Sequence, residues 1–299
     1  SLVEPFRAAN FLSEKKYYNV MNFSESKEGT VSSSGLKISG DYIIGDTPEL
    51  DIFFVIAGGD PFKYDNKNLY RWINKLAQNG VIIGGVSGGP IILVKAGLMK
   101  EHRMTVHWEH APSLLEISHD IILEKSLYVI DRNRITCAGG TAPIDMVLAI
   151  VKKQQGIKFA QLVSDWFLHN EIRPSGGPQR SNLVNRVGTN NKFALSAIEL
   201  MENHLADPLT LNQLAELNTI SKRQLNRIFK KYFDKGTMEY YRELRLDKAK
   251  NLLRNSSLSI AEISHMTGFY SSSHFSSLFM NYFDIPPTQY RNSSQMTYI

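Results

Sequence analysis

Along residues 1–155, short runs of β-forming residues alternate with segments whose apolar positions recur at helical spacing. The stretches YYNVMNF (Tyr17 to Phe23), DIFFVIAGG (Asp51 to Gly59), GVIIGGV (Gly80 to Val86) and RITCAGG (Arg134 to Gly140) read as strands. Leu69 to Gln78, Pro90 to Ala96 and Ala142 to Lys152 read as helices. Such alternation predicts an α/β fold with a mostly parallel sheet flanked by helices, and ligands at the carboxyl ends of its strands. Gly58, Gly59, Ser87, Gly139 and Gly140 fall at that edge.

The pattern changes after residue 168. Residues 169–191, HNEIRPSGGPQRSNLVNRVGTNN, are polar and punctuated by proline and glycine, which predicts a linker or docking segment. From Lys192 to Arg291 strand signals vanish and the period is helical throughout, predicting an all-α domain followed by a tail at 292–299. This half repeats itself. LTLNQLAEL (Leu209 to Leu217) aligns with LSIAEISHM (Leu258 to Met266), and IFKKYFD (Ile228 to Asp234) aligns with LFMNYFD (Leu278 to Asp284). Each copy opens on a capping box, Thr210 with Gln213 and Ser259 with Glu262, so a helix starts there. A second helix follows in each, from near Ser221 and near Ser272, with Leu225, Ile228 and Phe229, or Phe275, Leu278 and Phe279, facing inward. Two short helices joined by a tight turn make a helix-turn-helix, here in duplicate. Thr237 to Asn255 joins the copies as an uninterrupted helix of about 27 Å at about 1.5 Å per residue, close to the roughly 34 Å between successive major grooves.

Composition narrows the reading. A chain of 299 residues with 42% hydrophobic content supports two globular domains. No stretch reaches the roughly 18 to 20 apolar residues of a membrane helix, no basic-then-apolar leader is visible, and the single Cys137 excludes an internal disulfide framework. A cytoplasmic protein without a membrane partner is expected. The net charge of +5 is spread almost evenly, with 13 Lys and Arg against 10 Asp and Glu from Asn191 onward, so charge alone names no partner. Its local distribution is more informative. Lys222, Arg223, Gln224, Asn226, Arg227, Lys230 and Lys231 lie on the outward face of one second helix. A lone basic helix is usually a solvated face, but on a duplicated helix-turn-helix these cations and amides suit phosphates and base edges of double-stranded DNA.

ISKRQLNRIFKKYF, YYRELRLDKAKNLL and SLSIAEISHMTGFYSSSHFSSLFMNYFDIPPTQYR together resemble the AraC/XylS family of transcription regulators. The resemblance implies that the helices beginning near Lys222 and Ser272 read DNA, bringing Ser272, Ser273, His274 and Ser277 into the candidate interface, with RNA polymerase as a candidate further partner. Asp234 and Asp284 stand where the family usually has glycine, and aspartate tolerates the left-handed turn. Ser276, Ser277, Met280 and Asn281 replace residues that are often basic in the family, which predicts weaker phosphate contacts by the second copy.

EPFRAAN, AGG, GGVSGGPIILVKAGLM, TVHWE and CAGGTAPIDMVLAIV, in that order across Leu2 to Trp166, resemble the class I glutamine amidotransferase-like superfamily in its PfpI branch, a flavodoxin-like fold. That places a sensor domain at 1–168, a linker at 169–191 and the DNA-binding domain at 192–291. Family members begin with a strand ahead of the helix holding Glu4, whereas this sequence starts at Ser1, so an exposed sheet edge is expected. Regulators sensing quaternary amines such as glycine betaine or carnitine look similar.

Ser87 occupies the position of the superfamily's nucleophilic cysteine, and Gly88 that of the histidine after it. A serine hydroxyl needs a base within hydrogen-bond reach, and His107 is the local candidate. The expectation is therefore a vestigial elbow that contacts a ligand instead of attacking it, with tight-turn packing as the plain alternative. The amides of Gly88 and Gly89 at the following helix start would hold a carboxylate. Glu4, Gly58, Ser87, Gly88, His107, Trp108 and Glu109 form the candidate ligand site, with Trp108 and Glu109 suited to an amine and Trp108 equally suited to the core. His102, His107 and His110 lack metal-ligand spacing, Cys137 reads as packing, and neither metal nor cofactor is expected. These readings converge on a ligand-responsive, dimeric DNA-binding regulator. The alternative is an amidotransferase-like hydrolase joined to a DNA-binding module, and a third reading is a regulator made defective by the lacking first strand.

Overall fold

The computed structural model describes residues 1–32, 34–180, 183–256 and 258–296, which form two units, Ser1–Arg180 and Ser181–Ile299. In the first unit, strands Ile52–Ala57, Ile82–Ser87, Arg134–Cys137 and Tyr128–Asp131 form one sheet in that spatial order. The first two pairings are parallel and the last is antiparallel. Successive side chains leave a strand on opposite faces, and the burial follows. Val86 joins a core with Ala8, Ala9, Met146, Val147 and Val163 from helices Val3–Leu12, Ala142–Gln155 and Ile157–Trp166. Ile83 joins the opposite core with Leu69, Trp72, Ile73, Ile91 and Ile92 from helices Lys67–Gln78 and Gly89–Lys95. The sheet is thus the middle of three layers.

One sequence expectation needs correction here. Tyr17 to Phe23 is not a strand; only Phe23 and Ser24 pair, with Tyr42 and Ile43. Tyr18 instead packs its ring on Phe6, and its backbone N–H donates to Asn10 Oδ1 at 2.9 Å, so aromatic packing satisfies residues whose type favours strands. Of the two readings of residues 169–191, linker or docking segment, residues 169–180 follow the second and pack within the first unit. Asp145, fully buried, accepts hydrogen bonds from the Arg173 backbone N–H at 2.8 Å and from its guanidinium at 3.0 and 2.6 Å, and it pairs with His169 Nε2 at 2.9 Å. A buried carboxylate is tolerated only with such compensation, which is why this segment is held. Residues 181–182 of the expected linker and 297–299 of the expected tail lie outside the described residues. The strand Ile52–Ala57 stands at the edge of the four-stranded sheet.

Among the described residues of the second unit every regular element is a helix. Thr210 and Ser259 accept from the backbone N–H of Gln213 and Glu262, whose side chains accept from the cap amides in return, so both capping boxes form. The second helices are Lys222–Phe233 and Ser272–Phe283, capped by Ser221 and Ser271. Residues 221–240 and 271–290 share one sequence of buried, half-buried and exposed positions, so the repeat is structural as well as textual. Asp234 and Asp284 end these helices at φ 56° and 57°, the left-handed turn expected of them. Thr237–Asn255 is one helix between two cores, one around Leu225, Phe229 and Tyr241, the other around Leu246, Phe275 and Phe279. Among the described residues no helix is long and apolar enough to cross a membrane.

Candidate functional site

The elbow at Ser87 is formed by close backbone approach. Ser87 ends its strand at φ 61°, paired with Ala57, and helix Gly89–Lys95 begins two residues on. A Cβ on Gly89 would lie 1.9 Å from the Val55 carbonyl oxygen, and one on Gly139 would lie 2.7 Å from Ser87 Cβ. Glycine is required at both, because the helix start and the neighbouring strand end are pressed against this turn. Gly58, Ser87 and Gly139 therefore share the carboxyl edge of the sheet, as the strand pattern predicted.

Other expected members of the site are arranged differently. The Gly88 N–H, expected to be open to a carboxylate, donates to the Ala57 carbonyl at 2.9 Å and ties the turn to the adjacent strand. Glu4 is exposed and accepts from Arg7 Nε at 2.8 Å, so its charge is balanced on its own helix. The His107 backbone N–H reaches the Ser87 carbonyl at 3.4 Å, which brings the 105–109 segment to the elbow. Its ring lies 5.3 Å from that of Trp108 and 5.9 Å from that of His110, and Nδ1 is 4.0 Å from a Glu109 carboxylate oxygen. Burial lowers the His107 pKa, against the pull of Glu109, and pushes that of buried His110 down to about 4, assisted by His107. Among the described residues no side chain hydrogen-bonds Ser87 Oγ, so the hydroxyl has no base in contact. Cys137 is buried packing, its thiol pKa pushed up to about 12 by burial.

One contact was invisible in the sequence. The Arg180 guanidinium stands over the Trp108 ring, 4.5 Å from its centre. Gln179 is anchored just before it, its Nε2 donating to Thr105 Oγ1 at 3.0 Å, the Val106 carbonyl at 3.1 Å and the Ser126 carbonyl at 2.7 Å. Polar residues between proline and glycine carry no periodic signal, so neither could be placed from the pattern.

In the second unit, Lys222, Arg223, Gln224, Arg227, Lys230 and Lys231 are exposed on one helix while Leu225 and Phe229 are buried. Two of the expected DNA contacts have other employment. Asn226 is half-buried, and its Oδ1 accepts from the Thr237 backbone N–H at 3.1 Å, joining this helix to the next. Lys230 Nζ is 2.8 Å from both the carbonyl and the carboxylate of Asp234. In the second copy Ser272, Ser273, His274 and Ser277 are exposed, with Ser277 Oγ donating back to the Ser273 carbonyl at 3.0 Å. Tyr270, just before this helix, is 99% exposed, and no periodic or charge signal in the sequence marks it.

Residues 2–153 match the DJ-1/PfpI family, and residues 214–293 match a helix-turn-helix domain. HTH-type transcriptional regulator GlxA of Rhizobium meliloti (strain 1021) is 37% identical over 98% of this chain and 91% of that protein. The chain belongs to the AraC-type regulators with a DJ-1/PfpI domain. Another regulator, CdhR of Pseudomonas aeruginosa, is 36% identical over 97% of this chain and 86% of its own length. A solved THiJ/PfpI family protein from Pseudomonas syringae covers 68% of this chain and 81% of its own at 23% identity and a TM-score of 0.51, a likeness of fold. DNA-binding regulation is the function this family shares.

Proposed function

We propose that this regulator responds to a small amine or zwitterion held by its first unit, and that this unit binds the effector without turning it over. The observation that carries the regulatory reading is the duplicated helix-turn-helix with its exposed basic helix, Lys222–Phe233. The amine reading is supported by the Trp108 ring, which already carries a cation 4.5 Å from its centre, with Glu109 next to it in sequence, in a segment whose His107 backbone N–H reaches the Ser87 carbonyl at 3.4 Å. Absence of a base in contact with Ser87 Oγ among the described residues supports a binding role over hydrolysis. The regulator acts where its DNA is, in the cytoplasm, as a homodimer that places two DNA-binding units on adjacent half-sites, with RNA polymerase as a further partner.

Thermal-shift screening of betaine, carnitine, choline and common amino acids tests the effector class. At ligand concentrations of about 100 times Kd, a binding ligand adds about 2.7 kcal/mol and raises the melting temperature. Stabilisation by a sugar or an apolar compound, with no response to any zwitterion, removes the amine reading and leaves DNA-binding regulation in place. Amidase activity of the purified protein that disappears in Ser87→Ala would instead establish the hydrolase reading.

A further inference from the structure

We propose that the Trp108 face is the cation subsite of the effector site and that Arg180 is its built-in occupant, a tethered competitor that an effector's cation displaces. The proposal rests on the amine reading above and adds the means by which binding is felt by the rest of the chain.

Three observations carry it. The Arg180 guanidinium lies 4.5 Å from the Trp108 ring centre, inside the roughly 6 Å range of cation–π attraction. Trp108 is 38% exposed, so the contact is made in reach of solvent and of a small cation arriving from it. Arg180 also closes the first unit, the chain continuing from it into the second. A contact at Trp108 is thus made by the residue that leads toward the DNA-binding half.

The anchoring of residues 169–180 is graded. Asp145 holds His169 and Arg173 with paired charge in a buried setting, a firm attachment. Pro174, Ser175, Gly176, Gly177 and Pro178 follow, and then Gln179 and Arg180 attach to the 105–108 segment. Gln179 Oε1 is buried there with no hydrogen-bond partner, so this second attachment carries an uncompensated desolvation cost that the first does not. An effector cation on Trp108 therefore removes one of the contacts of the weaker attachment and leaves the Asp145 attachment intact. The occupant also defines the competitor's chemistry. An indole face that takes a guanidinium selects cations of diffuse charge, guanidinium or quaternary ammonium, over a compact, strongly hydrated ammonium.

A tethered competitor lowers apparent affinity by the fraction of molecules in which it occupies the site. For a partly exposed cation–π contact the expected effect is about two- to fivefold. Calorimetric titration of the full chain with glycine betaine and with methylguanidinium, in wild type and Arg180→Gln, reads it directly. Arg180→Gln is expected to bind two- to fivefold more tightly, and Trp108→Leu to lose binding. A second readout needs no ligand. Trypsin cleavage after Arg180, followed by mass spectrometry of the resulting fragment, is expected to be faster in Trp108→Leu than in wild type, and faster in wild type when betaine is added. Equal affinity of wild type and Arg180→Gln overturns the competitor while leaving the amine effector standing. Failure of both probes to bind wild type and Arg180→Gln, with no zwitterion stabilising the chain, removes the amine reading and the competitor with it, and unchanged cleavage in Trp108→Leu overturns the contact itself.

Discussion

His110 is 5% exposed, faces Phe62, His107, Glu109 and Asp60, and has its pKa pushed down to about 4 from an ordinary 6.5, chiefly by burial. A group with a depressed basic pKa binds its proton more readily in the unfolded chain. The stability gained by keeping it neutral is therefore complete above about pH 6.5 and is lost as pH falls toward about 4, on the order of 3 kcal/mol. Burial lowers the pKa of His102 and His107 as well, in the same direction. Thermal melts of the full chain between pH 7 and pH 4 should show the transition of the first unit falling steeply, with part of that fall absent in His110→Leu. A melting curve for His110→Leu parallel to wild type across that range would rule out His110 as a source. Because it lies next to His107, the same protonation would disturb the segment that carries Trp108.

At the scale of elements, the two helix-turn-helix copies share caps, burial pattern and left-handed aspartate ends, yet differ in charge. The first helix exposes Arg223, Arg227 and Lys231, and the second exposes Ser272, Ser273 and Ser277. Replacing Arg223 or Arg227 with Ala should cost about 1 to 3 kcal/mol in DNA affinity and relax preference at one base position. Lys231→Ala should weaken all sequences alike and reduce the slope of log affinity against log salt by about 1. Lys230→Ala should do less, because that ammonium is already engaged with Asp234 at 2.8 Å. Fluorescence anisotropy on a DNA enriched from a random library, repeated across a salt series, measures all four. Wild-type affinity in the Arg223→Ala, Arg227→Ala double variant would mean that this helix does not read DNA.

For the whole molecule, assembly is the property most open to test. The Phe11 and Trp166 rings lie 5.0 Å apart, tilted by 47°, with exposures of 63% and 48%, and Leu162 and Leu168 are exposed near Trp166 in sequence. Exposed aromatic groups in contact are the kind of surface that a second copy covers, and residues of this type dominate interface energetics. Sedimentation of the full chain at micromolar concentration should find a dimer, with Trp166→Glu weakening it on the order of tenfold or more. A monomer in wild type at high micromolar concentration would remove dimerisation through this surface.

Residues near one another in sequence settled most of the architecture. The strand-turn-helix at Ser87, the capping boxes at Thr210 and Ser259, the duplicated helix pair and the linking helix Thr237–Asn255 depend on periodicity and hydrogen bonds spanning a few positions, so they are legible in the sequence. Where a partner came from far along the chain, pattern failed. YYNVMNF has strand-forming residues but no neighbour to ladder with over most of its length, and only the packing of Tyr18 and Phe23 shows that. The Gly88 N–H looked available until the register of two strands gave it the Ala57 carbonyl. Asn226 read as an outward side chain until the turn at Asp234 returned the Thr237 N–H to it. Gln179 meets Thr105 across 74 positions, and Arg180 is brought to Trp108 by that same docking. The chain alone therefore determined which elements exist and which face of each is apolar or basic. Only the tertiary structure decided which polar groups were already satisfied, because a hydrogen bond or cation–π contact depends on distances of a few ångströms that sequence separation does not encode.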